Sequence, residues 1–272
     1  MKIVKKTPRI FITVVLFLIF FFPFYWMFTT SVKTLGETVR IPPTMWPEIF
    51  QWENFKRAFE AIPFMQYLGN SVIVTLSVLI LQMCTIVPAA YAFARYKFKG
   101  DKILFGLIMI TMMIPAQLVF LPLFVMFSKL GWINTYQSLI LPFASSAFGI
   151  FMLRQTFKQV PKELIEAAKL DKASEFKIIR KIMLPLARPT LTTLGLLTFI
   201  NTWNDYFWPL VLTTKDTVRT LPVGIASLRN IESGVNFHVL MAGNVMLVIP
   251  ILIAFLLAQK QIIKAFTYMG DK

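Results

Sequence analysis

Residues 61–94 read AIPFMQYLGNSVIVTLSVLILQMCTIVPAAYAFA and contain no Asp, Glu, Lys or Arg. A bilayer-spanning helix needs about 20 consecutive apolar residues, so this stretch crosses a membrane with turns to spare. Working outward, residues 10–32, 103–128, 130–153 and 233–259 are equally free of charge, and 189–214 is interrupted only by Asp205. The pattern predicts an all-α polytopic membrane protein with six transmembrane helices, near 10–31, 70–93, 104–127, 138–153, 190–212 and 239–263. Pro23, Pro88, Pro115 and Pro122 fall inside these runs; proline is tolerated there because neighbouring helices, side chains and water satisfy the freed carbonyls.

Composition agrees. Of 272 residues 57% are hydrophobic and 15% charged, against about 25% charged in a soluble domain. The net charge of +15 could suggest a nucleic-acid partner, but its distribution argues against one. With a cytoplasmic N-terminus, segments 1–9, 95–102, 154–189 and 260–272 lie inside and hold 20 of the 28 basic residues; the outer segments hold 8. That skew is the positive-inside bias, which also places the C-terminus in the cytoplasm, and the inner charge favours anionic lipid. The apolar run after Lys5-Lys6 is too long for a signal h-region and lacks a small-x-small cleavage site, so it reads as a retained span. The single Cys84 permits no intrachain disulfide and reads as a packing residue.

The polar island is 154–189, with nine basic and four acidic residues. Pro161 suits a helix start, and 162–170, KELIEAAKL, is made of good helix formers with its acids in the first two turns, as the dipole favours. A break at Asp171-Lys172-Ala173 follows. Ser174 can cap a second short helix reaching Met183 or Leu184, with Phe176, Ile179, Ile182 and Met183 on one side, before Pro185 and Pro189 stop it. Ala167 and Ala168 beside Glu166 give a smooth surface for close approach by a partner; a loop resting on lipid headgroups is the other reading. A further short helix is expected near 53–61, in an outer loop whose Trp46 and Trp52 suit the membrane interface.

The run from Glu166-Ala167-Ala168 to Asp171-Lys172-Ala173-Ser174, followed by Ile182-Met183-Leu184-Pro185-Leu186, resembles the EAA motif of ABC importer permeases. Asn70-Ser71, Tyr91-Ala92-Phe93-Ala94-Arg95, Met112-Met113-Ile114-Pro115 and Trp203-Asn204-Asp205 resemble the carbohydrate-uptake branch, in particular the smaller permease subunit of the maltose type. The likeness covers nearly the whole chain in order and spacing. It implies that the loop forms coupling helices docking an ATPase subunit, through Glu163, Glu166, Ala167, Ala168, Asp171, Lys172, Ala173, Leu184 and Pro185. It implies a second permease subunit, as a heterodimer, together with two ABC ATPase subunits and an extracytoplasmic solute-binding protein. ATP is then bound by the partner subunits and no cofactor by this chain, which resides in a bacterial or archaeal cell membrane. The corresponding organisation is a first helix and outer loop over 1–65, a transmembrane domain over 66–265 that includes the loop 154–189, and a cytoplasmic tail over 266–272.

One departure stands out. The family has glycine after the motif's Asp, where this chain has Lys172. Either Lys172 takes a left-handed conformation, at roughly 1–2 kcal/mol, or the turn is built differently.

Other residues carry competing readings. Asp205, the only acid in an apolar run, lines a path or hydrogen-bonds a neighbouring helix together with Asn204. Asn201, Asn204 and Asn244 contact a polyol or join helices. Trp203, Tyr206 and Trp208 stack on a sugar or form an interfacial belt. His238 reads as interfacial, since no second His is present to build a metal site. The sequence contains no Walker A pattern and no recognisable catalytic set, so a transporter subunit without its own ATPase is expected. The competing class is a stand-alone secondary carrier or channel, which calls for buried acids or broken-helix repeats; Asp205 alone supports it.

Overall fold

The computed structural model describes residues 6–230 and 236–270, and among these no strand occurs. Among the described residues, four helices are long and apolar enough to cross a bilayer: Ile10–Ser31, Phe64–Arg95, Tyr136–Gln159 and Phe237–Gln261. A fifth results if Glu175–Leu186 and Arg188–Trp203, bent by 81° from one another, are taken as one. The third expected span is not continuous. Asp101–Thr111 ends at the Met112–Pro115 break, and the chain resumes as a 3-10 turn and the helix Phe120–Lys129. The ψ of 130° at Pro115 takes the backbone out of helical geometry there. The fifth expected span is likewise cut at Asn204–Tyr206, between Arg188–Trp203 and Phe207–Leu212. Pro23, Pro88 and Pro250 lie inside helices that continue through them.

The chain divides into two compact units. One comprises 1–66 and 221–249. In it Lys33 is buried, its ammonium over the Trp26 ring at 4.6 Å and donating to the Thr44 carbonyl. Asn54, on the helix Glu53–Glu60, donates to the carbonyls of Ser31 and Lys33, each at 2.9 Å. The segment after the first helix is thereby clamped to that helix's end. His238 is buried in this unit. Gly243 sits where an added Cβ would lie 3.1 Å from both Ile225 and Leu228, so the last helix packs closely against that segment.

The other unit comprises 67–220 and 250–272. Its larger core gathers Ile86, Leu153, Phe157, Ile178, Met183 and Ala187, all essentially inaccessible. This core draws on the helices Phe64–Arg95 and Ala147–Gln159 and on the polar loop alike, so the loop is packed into the molecule. Ile86 meets Gly149 so closely that a Cβ there would stand 2.5 Å from its Cδ1. Cys84, read as a packing residue, is exposed.

Candidate functional site

The first helix of the polar loop forms over Lys162–Leu170, starting after Pro161 and ending at Asp171. Its exit is a hydrogen-bonded Schellman turn: the amide of Ala173 donates to the Ala168 carbonyl at 3.0 Å and that of Lys172 to the Lys169 carbonyl at 2.9 Å. Lys172 occupies the left-handed position of that turn, with φ +54°. The first of the two alternatives for this residue is therefore the one adopted. Ser174 accepts the amide of Lys177 at 3.3 Å and caps the second helix.

The second helix departs from expectation in its phase. It begins as Glu175–Ile178, passes into a π turn at Ile179–Met183 and continues through Pro185 to Leu186. The chain turns at Ala187. A π turn closes i→i+5 bonds, which brings Ile178 and Met183 to the same buried side, while Phe176 is 71% exposed. The buried side is thus Ile178, Met183 and Ala187, with Ile179 and Ile182 half-buried.

The residues expected at the docking surface separate into two groups. Glu163, Glu166, Ala167, Asp171, Lys172 and Pro185 are exposed. Ala168, Ala173 and Leu184 are half-buried and pack against the core. Leu170, 85% exposed, and Phe176 add an uncovered apolar surface beside these acids.

A polar frame joins the loop to the long helix. The Tyr91 hydroxyl donates to Glu175 Oε2 at 2.5 Å, and Lys169 Nζ lies 3.1 Å from Glu175 Oε1. Hydrogen bonding from Tyr91, helped by Tyr96 and Lys169, holds the Glu175 carboxyl below the usual carboxylate range against the effect of burial. Arg95 donates to the carbonyls of Phe157 and Val160 at 2.6 and 2.7 Å. Arg154 donates to the Phe93 carbonyl at 3.1 Å while its guanidinium covers Phe105 at 3.9 Å. Tyr91, Arg95, Tyr96, Lys162, Glu166 and Lys169 surround a cleft of about 200 Å3 beside the loop. Sequence reasoning did not assign roles to Tyr91, Arg95 or Glu175; the Tyr91–Arg95 stretch, set apart by its motif, was the available signal.

A second feature lies among the apolar helices. A cavity of about 400 Å3 is lined by Gln82, Ser145, Thr198, Asn201, Thr202 and Asp205, with apolar residues between them. The break between Phe143 and Ala147 frees carbonyls, which Gln82 and Thr85 satisfy by donating to Phe143 O at 2.9 Å and Ala144 O at 2.8 Å. Thr198 in turn donates to Gln82 Oε1 at 2.8 Å. Asp205 accepts the amide of Trp208 at 3.3 Å across the Asn204–Tyr206 break. Its bond is therefore local, and it faces the cavity together with Asn201. Asn204 and Asn244 are not among the lining residues; Asn244 donates to Leu240 O within its own helix at 3.1 Å. Trp203 stacks on Phe199 at 5.6 Å, and Trp208 packs against Phe120, Phe143 and Phe207. Both indoles are buried, which removes them from an interfacial belt.

The family model described as "Binding-protein-dependent transport system inner membrane component" matches residues 85–268. The arabinooligosaccharides transport system permease protein of Halalkalibacterium halodurans is 36% identical over 254 residues, spanning 92% of this chain and 91% of that protein. The trehalose/maltose transport system permease protein of Thermococcus litoralis is 33% identical over 270 residues, spanning 98% and 96%. Among solved structures, a chain of a bacterial ABC transporter involved in the import of the acidic polysaccharide alginate superposes with a TM-score of 0.81. It is 25% identical, with 94% of this chain and 96% of that chain covered.

Proposed function

This chain belongs to the family of binding-protein-dependent transport system inner membrane components, and from that premise we propose that it is the permease subunit through which an ABC importer moves a sugar or sugar-like solute. It is a multi-pass protein of the cell membrane. Relatives whose printed names specify arabinooligosaccharides and trehalose or maltose support the carbohydrate assignment.

In this reading the chain crosses the membrane six times, with Asp101–Lys129 and Arg188–Leu212 each counted as one broken crossing and both termini in the cytoplasm. Residues 1–65 supply the first helix and outer loop, 66–265 the transmembrane domain and 266–272 a tail, in a bacterial or archaeal plasma membrane. The observation that carries the coupling role is the Tyr91–Glu175–Lys169 frame, which ties both helices of the polar loop to a span. Force applied at the exposed face around Glu163, Glu166, Ala167, Asp171 and Lys172 passes through Ala168, Ala173 and Leu184 into the core, and Pro185 stands near the 81° bend. An ATPase subunit seated there would move the helices and alternate access to a central path. Asn201 and Asp205 face that path; Asn204 and Asn244 lie off the cavity and would meet solute only outside it.

The complete assembly holds a second permease, two ATPase subunits that bind the ATP, and an extracytoplasmic solute-binding protein; this chain needs no cofactor. A stand-alone carrier is not favoured, since the relatives are described as permease components of transport systems. Copurification tests the arrangement. The intact chain should retain an ATPase subunit in mild detergent, and deletion of 161–184 should release it. Retention after the deletion would refute docking at this loop.

A further inference from the structure

The 400 Å3 cavity has a charge character of its own. Among the described residues that line it, Asp205 is the single ionisable group, and neither Lys nor Arg takes part. The remaining polar groups are all amides and hydroxyls, Gln82, Asn201, Thr198 and Thr202 among them. Such groups donate and accept hydrogen bonds and match the hydroxyls of a polyol. The volume falls within the range of small-ligand sites. An acidic group amid apolar helices is costly and marks a functional position where it faces a cavity.

The Asp205 carboxylate is fixed in place. It accepts the Trp208 amide across the break between two helices, so it sits at the N-terminal end of Phe207–Leu212 without a basic side chain to neutralise it. The ion pairs of the described residues all lie elsewhere.

We infer that this cavity is a station on the solute path that accepts uncharged polyhydroxy compounds and repels anions, with Asp205 as the discriminating group. The inference rests on the sugar-importer reading and narrows its substrate class to neutral carbohydrate, excluding uronates and sugar phosphates. A carboxylate facing a low-dielectric cavity focuses its field on anything entering, so its sign acts on solute charge before any specific contact forms.

The test needs no knowledge of the natural solute. In a Cys84→Ser background, Asn201→Cys places a thiol in the cavity of the assembled transporter, and Thr198→Cys is the second reporter. Each is exposed in membranes to a cationic and an anionic methanethiosulfonate of similar size, with the same pair on a free thiol as reference. The cationic reagent should gain about 5- to 30-fold or more over the anionic one relative to that reference, the factors that reversing the sign of a unit charge about 8 and 4 Å from a carboxylate gives at the dielectric of bulk water alone. Asp205→Asn, which can still accept the Trp208 amide, should abolish the gain, and Asp205→Glu should keep it. An unchanged ratio in Asp205→Asn, or thiols that neither reagent reaches, would overturn the inference. ATP-dependent uptake of labelled arabinotriose, maltose and trehalose is measured in parallel. Absent uptake with the charge preference intact counts against the sugar reading alone; retained uptake without the preference counts against this inference alone.

Discussion

Arg95 and Arg154 each hold the C-terminal end of the helix that carries the other. Arg95, the last residue of Phe64–Arg95, donates to the carbonyls of Phe157 and Val160 at the end of Ala147–Gln159. Arg154 on that helix donates back to Phe93. Helix ends leave carbonyls unpaired and carry partial negative charge, so a guanidinium serves both needs at once. Two helices approaching lipid headgroups are thereby locked end to end.

Arg95→Met should therefore cost about 3–6 kcal/mol, because it gives up two charge-assisted bonds worth about 1.5–3 kcal/mol each. Arg154→Met should cost less, about 2–4 kcal/mol, having one such bond and a cation–π contact. Thermal unfolding of the purified protein in detergent measures both. Reciprocity predicts that the double mutant loses less than the sum; strict additivity would mean that the two ends come apart independently.

The Glu175–Tyr91 bond makes a prediction about pH. The folded-state carboxyl titrates below its ordinary value of 4.5, so its stabilisation is fully present above the unfolded value and is lost as pH falls through the folded one. Tyr91→Phe should lower stability by about 1 kcal/mol at pH 7, the figure being discounted for the partial exposure of Glu175. The gap between mutant and parent should narrow as pH falls below 4.5 and close once Glu175 is protonated. Melting temperatures at a series of pH values give the answer; a gap that widens on acidification would contradict the assignment.

How far the sequence went depended on the range of the forces involved. Lys162–Leu170 was legible to the residue because Pro161, the helix formers and the Asp171-Lys172 break act locally, and the Ser174 cap was legible for the same reason. The breaks at Met112–Pro115 and Asn204–Tyr206 were not, since hydrophobicity reports that a segment sits in lipid and says little about whether its helix is continuous. The orientation of Phe176 failed because a π turn shifts the phase of everything after it, and apolar residues at 178, 179, 182 and 183 fit either period. Gln82, Thr198 and Asp205 converge from distant positions, as do Arg95 and Arg154; such meetings are written in the packing and in no local pattern.

At the loop's turn, Lys172 holds a left-handed backbone inside a Schellman exit. A β-carbon there costs roughly 1–2 kcal/mol, part of which glycine would return to the unfolded chain as entropy. Lys172→Gly is accordingly expected to be neutral or to stabilise by up to about 1 kcal/mol, with uptake retained. Lys172→Val, β-branched and ill suited to positive φ, should destabilise the loop and weaken ATPase copurification. Complete loss of uptake in the glycine variant would show that the lysine side chain, and not the turn, is what the partner needs.

Glu166 lies on the exposed face of the Lys162–Leu170 helix and also borders the cleft beside Tyr91, Arg95 and Lys169. Its carboxylate is exposed near side chains already bonded into the frame, and in the proposed reading a partner meets it there. A charge pair desolvated at such an interface fixes register as well as affinity, so removing one member should impair the transfer of motion more than the assembly. Glu166→Ala is expected to insert normally, with ATP hydrolysis by the assembled complex persisting while solute uptake falls about tenfold or more. Glu166→Gln, which keeps shape and one acceptor, should fall between the two. Reconstitution in vesicles, measuring ATP turnover and uptake on the same preparation, yields the ratio that matters. Equal losses in both would indicate failed docking, and normal uptake would remove Glu166 from the coupling surface.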